Sequence, residues 1–62
     1  MMVKLSYKEK VEIFVQELTK AETLRGALIA ANERGVNSAF YEDEEAFHQA
    51  LKIAGNPDKR KH

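Results

Sequence analysis

The chain has 62 residues, no cysteine, and ten basic and ten acidic side chains that cancel to zero formal charge. A domain of this size buries only about 60% of its unfolded surface. Disulfides and thiolate zinc sites are excluded, and the basic surplus of a dedicated nucleic-acid binder is absent.

The first element opens at Ser6-Tyr7-Lys8-Glu9, which fits a capping box: the Ser6 hydroxyl accepts from the Glu9 amide while the Glu9 carboxylate reaches back to the Ser6 amide. Tyr7, Val11, Phe14, Val15 and Leu18 then recur at helical spacing, predicting a helix over 7–19. Ile13 faces away from this stripe. Lys8, Lys10, Glu12, Gln16 and Glu17 cover the wet side.

Leu24, Ala27, Leu28 and Ala31 form a second stripe. At about 100° per residue, it lies roughly 130° round from the first. One straight helix cannot turn both stripes to one core, so a break or sharp kink is expected within 19–23. Thr19-Lys20-Ala21-Glu22 is a second capping-box match, which starts the next helix at 20 and runs it to 34. The alternative is one long curved helix over 7–34.

This second helix is rich in small residues: Ala21, Gly26, Ala27, Ala30 and Ala31. With Leu24, Leu28 and Ile29 it is apolar round most of its girth, and it reads as the central helix. A glycine inside a helix costs about 1 kcal/mol relative to alanine, so Gly26 is expected where another backbone comes close; the alternative is a tolerated surface glycine. Arg34-Gly35-Val36 closes the helix with glycine in the left-handed conformation and Val36 folded back on the last turn.

The third helix is expected over 39–54, with Phe40, Phe47, Ala50, Leu51 and Ala54 on its apolar arc and Ala46 and Ile53 at one edge. Its start is open between two caps. Asn37 would cap it with Val36 and Tyr41 as a hydrophobic staple; Asp43 would cap a shorter version. Gly55 and Pro57 mark its end. Residues 1–55 thus form a single helical domain and 56–62 a flexible basic tail.

Ala31, Gly35 and Val36 fall at the small, turn-glycine and apolar positions of a helix-turn-helix. Arg34 and Tyr41 fit that pattern poorly. A recognition helix offers its first turns to bases and phosphates, and here those turns carry Glu42, Asp43, Glu44 and Glu45. Carboxylates there have a simpler reading, since the helix dipole favours each by about 0.3–1 kcal/mol.

No glycine-rich phosphate loop occurs. His48 is the one internal histidine, and neither Ser6 nor Ser38 is linked to it by any pattern of nucleophilic catalysis. Glu44 and His48, at i and i+4, make a weak metal pair and a common surface pair. The expectation is no catalytic activity, no metal and no cofactor. The strongly apolar stretch at 28–31 is far shorter than the roughly 18 residues of a membrane span. The opening MMVKLSYKEKVEIF lacks the apolar core of a signal peptide, so a cytoplasmic protein is expected.

The sequence therefore predicts an all-α fold, a small three-helix antiparallel bundle completed by homodimerisation. Its core and dimer seam would draw on Val11, Phe14, Val15, Leu18, Leu24, Gly26, Ala27, Leu28, Ala31, Phe40, Phe47 and Leu51. The expected role is that of a non-enzymatic regulator, adaptor or inhibitor that binds another protein through Tyr41, Glu42, Asp43, Glu44, Glu45 and His48. The alternative is a dimeric helix-turn-helix-like DNA-binding regulator.

Overall fold

The computed structural model describes residues 4–37 and 41–60. Within them the chain is all-α: α1 (Tyr7–Lys20), α2 (Leu24–Glu33), α3 (Tyr41–Ala54) and a single terminal turn, α4 (Pro57–Arg60). Phe40, and the side chains of Tyr41 and Glu42, lie outside the described residues.

The expected capping box opens α1. The Ser6 amide donates to Glu9 Oε1 at 2.8 Å, and the Glu9 amide donates to Ser6 Oγ at 3.2 Å. The break between α1 and α2 also forms, which overturns the single 7–34 helix. Ala21 leaves the helix with extended backbone (φ −78°, ψ 151°). The second capping box does not form. The Thr19 hydroxyl donates instead to the Val15 carbonyl of its own helix, at 2.7 Å. Thr23 takes the cap, accepting from the Gly26 amide at 3.0 Å. Helix two therefore starts at Leu24, four residues later than its pattern suggests.

The end of α2 follows the sequence reading. Gly35 has φ +103°. The Val36 amide donates to the Ala31 carbonyl and the Gly35 amide to the Asn32 carbonyl, each at 3.1 Å, the paired bonds of a Schellman closure. Val36 is thereby folded into the core. The closure also brings the chain back to its start, because a Cβ on Gly35 would sit 3.6 Å from Leu5 Cδ1. So α2 runs antiparallel to α1, and α3 runs antiparallel to α2.

The core unites Phe14 and Leu18 of α1, Ala27 and Ala31 of α2, Val36, and Ala46, Phe47 and Ala50 of α3. Phe14 meets Phe47 edge-on, with ring centroids 5.3 Å apart. Ala46, placed by its pattern at the edge of α3, lies at the centre of the packing with no exposed surface. Alanines on both outer helices let their backbones approach the large side chains of α1. The central helix is α1, which packs extensively on both α3 and α2; the sequence had assigned that place to α2.

Three further placements differ from the sequence reading. Gly26 is exposed, and the nearest atom to a Cβ built there is Thr23 Oγ1 at 3.2 Å. Among the described residues it sits at no crossing with another helix of the chain. Ile13, read as uncovered, is half-buried against the core. The segment from residue 56, read as a flexible tail, begins instead with α4. Its Pro57 is fully buried, and Asp58 Oδ1 accepts from the Leu24 amide at 2.9 Å.

Candidate interaction surface

The acidic start of α3 divides into two kinds of residue. Asp43 is 6% exposed, and it points inward rather than capping the helix or meeting a partner. Its Oδ1 lies 2.6 Å from Lys10 Nζ, and its Oδ2 accepts from the Asn37 amide at 2.6 Å. One carboxylate thus ties α3 to α1 and to the strand of chain that follows α2. Lys10, read as a wet-side residue, keeps only 15% of its side chain exposed. Asp43 is therefore removed from the predicted binding surface.

Glu44, Glu45 and His48 remain exposed on α3. Glu44 Oε2 and His48 Nε2 stand 3.9 Å apart with more than half of each side chain in water, a pairing worth little in that setting. Among the described residues, no three His, Cys, Asp or Glu side chains come together as a metal site would require. No helix among them is long and apolar enough to cross a membrane.

A second buried charge pairs α1 with the end of α2. Glu17, also read as wet, is 5% exposed. Arg34 Nη1 donates to Glu17 Oε2 and to Gln16 Oε1, each at 2.9 Å, and Lys20 Nζ stands 3.6 Å from the same carboxylate. Arg34 occupies a position where a helix-turn-helix carries an apolar residue; here its charge fastens the helix corner.

Among the predicted core and seam residues, Phe14, Leu18, Ala27, Ala31 and Phe47 are buried. Val11, Val15, Leu24, Leu28 and Leu51 are half-buried against them. Val11 and Val15 are covered on one side only. Their other side forms the floor of a shallow groove of about 400 Å³, completed by Ile53 of α3 and edged by Glu12 and Gln16 of α1. Ile53 is 60% exposed. The sequence listed Val11 and Val15 for a shared seam but left Ile53 at the margin of α3. The signal that would have found it is the parallel run of α1 and α3, which periodicity within one helix does not carry.

A smaller cleft of about 300 Å³ lies at the start of α1, lined by Lys4, Leu5, Ser6, Tyr7, Lys10 and Glu45. Two of its polar side chains are already engaged, Ser6 with Glu9 and Lys10 with Asp43. No family model, curated protein or solved structure matches this chain.

Proposed function

We propose that this chain is a non-enzymatic interaction protein that acts as a homodimer, with the Val11–Val15–Ile53 groove as the seam between copies. The observation that supports this most directly is the groove itself. Scattered single apolar residues on a surface are ordinary, but here three β-branched side chains from two helices line one concavity. Burying a side chain such as Ile53 against a like surface is favourable by about 1.5–3 kcal/mol relative to leaving it in water. A second copy is the occupant that brings the same apolar residues and a matching polar edge of Glu12 and Gln16. The chain's zero formal charge puts no net repulsion between copies. Glu44, Glu45 and His48 then form an exposed polar surface of each copy for a protein partner, where charge steers the encounter.

The test is sedimentation equilibrium of the wild-type chain and Ile53→Asp over a concentration series. The expected result is a dimer for the wild type and a monomer of unchanged helicity for the variant. A wild type that sediments as a monomer throughout rejects the seam. Gel-shift titration against mixed duplex at low salt tests the DNA-binding alternative. That alternative requires a shift in the micromolar to hundred-micromolar range of ordinary non-specific binding.

A further inference from the structure

The chain after α3 folds back instead of trailing away. Gly55, at φ +84° with open space around it, reverses the direction. Asn56 then builds the next turn: its side-chain carbonyl accepts from the Asp58 amide and its main-chain carbonyl from the Lys59 amide, each at 2.9 Å. Pro57 occupies the first position of α4, where a missing N–H costs nothing, and its ring is fully buried. Asp58 reaches 34 residues back along the sequence to the Leu24 amide.

We infer that residues 55–59 are a latch that opens and closes on the N-terminus of α2 independently of the three-helix core, with Asp58 as its catch. Two features of α2 explain the need for such a catch. A helix start holds amides without helical partners, and carboxylates in the first turn stabilise it. The first turn of α2 has no acidic residue and carries Arg25, whose charge opposes the dipole. Thr23 satisfies the Gly26 amide, and the Leu24 amide is satisfied from the far end of the chain. Asp58 supplies the carboxylate that the local sequence of α2 lacks.

The hold is also weak enough to release. A four-residue helix has no stability of its own, because nucleation outweighs the few bonds it makes. Asp58 and Lys59 are exposed. Past the bond from the Gly55 amide to the Leu51 carbonyl, the segment is anchored on α2 by the carboxylate bond to Leu24 and on the fold by one buried ring, whereas α1 and α3 share the aromatic pair and most of the core. Segments with few buried contacts open at lower free energy than the fold as a whole. Opening uncovers the Leu24 amide and the surface beneath Pro57 while Phe14, Leu18 and Ala50 stay packed.

Native-state hydrogen exchange, read by NMR on the full chain, tests this in the wild type, Asp58→Asn and Asp58→Ala. In Asp58→Ala the Leu24 amide should exchange on the order of tenfold faster. Asp58→Asn keeps the acceptor and loses the charge, so it should fall between. Protection at Leu18, Ala31 and Ala50 should be unchanged in all three. In the wild type, urea well below the unfolding midpoint should release Leu24 and Lys59 before those core amides. Two results overturn the latch: identical Leu24 exchange in all three proteins, or loss of Leu24 protection only in step with the core.

Discussion

Asp43→Ala is the substitution whose cost follows most directly from the structure. The carboxylate is nearly sealed from water and serves two donors, the Lys10 ammonium and the Asn37 amide. Removing it leaves the amide without its charged acceptor, and hydrogen bonds to charged groups contribute about 1.5–3 kcal/mol. It also takes from Lys10 the carboxylate that stands 2.6 Å from its ammonium. Breaking a fully buried ion pair by deleting one partner costs about 3–5 kcal/mol. Lys10 keeps some exposure, however, and its long stem can carry the ammonium outward, which offsets part of that loss. A net loss of about 2–4 kcal/mol is expected. Small domains are stable by about 0.05–0.15 kcal/mol per residue, so this is a large share of what a chain of this length has. Urea unfolding followed by circular dichroism measures it. The pair is isolated by a double-mutant cycle with Lys10→Met, which should recover about 1–3 kcal/mol when combined with Asp43→Ala. A single-mutant loss below about 1 kcal/mol, with strictly additive effects, would refute the tie.

Gly26→Ala should stabilise the chain by up to about 1 kcal/mol, the helix preference of alanine, because the exposed Thr23 hydroxyl 3.2 Å from the new Cβ can yield slightly. A lower urea midpoint would show that the cap cannot move. Gly35→Ala should cost at least about 1–2 kcal/mol in the same assay, since its backbone lies in the left-handed region. Phe14→Ala removes the central ring of the core and should cost about 3–5 kcal/mol, enough to abolish the cooperative thermal transition. Glu44→Lys with Glu45→Lys should leave stability within about 1 kcal/mol, as ordinary for exposed sites. A loss as large as that of Asp43→Ala would mean these two carboxylates are also structural.

The helix ends were legible in the sequence wherever the cause is local. Ser6 with Glu9, and Gly35 with Val36, are completed within a few residues, so their types and spacing suffice. The break after α1 was legible for a different reason: two apolar stripes out of phase cannot share one axis. Which threonine caps α2 was not. Thr19 and Thr23 differ only in whether the backbone is helical or extended at that point, and the helix in which Thr19 sits gives its hydroxyl the Val15 carbonyl. Periodicity sorts residues by face and so puts Lys10 and Glu17 on the wet side, where the fold does not leave them. Their partners, Asp43 and Arg34, come from other elements and reach over the edge of the apolar stripe. Gly26 misled because smallness allows close approach without requiring it. Apolar girth does not make α2 the central helix, because girth is not burial: Ile29 on α2 is 54% exposed.

The two ion pairs that hold the buried carboxylates Asp43 and Glu17 matter more for register than for raw stability. Alanine faces are smooth. Ala27 and Ala31 on α2, and Ala46 and Ala50 on α3, repeat every four residues, so sliding either helix by one turn along α1 would present nearly the same surface. Such a slide is about 5.4 Å. It would pull Asp43 off Lys10, or Arg34 off Glu17, and leave a buried carboxylate without that contact. Hydrophobic burial discriminates less sharply between these arrangements, since an alanine methyl returns to the contact in each. A stranded charge discriminates sharply, because its penalty reaches several kcal/mol. Each outer helix carries one such tie to α1, near its own end of the bundle, and Phe14 against Phe47 adds a shape constraint between them. The placement of charges that a helical wheel assigns to solvent is thus what selects one packing from several that alanine would accept.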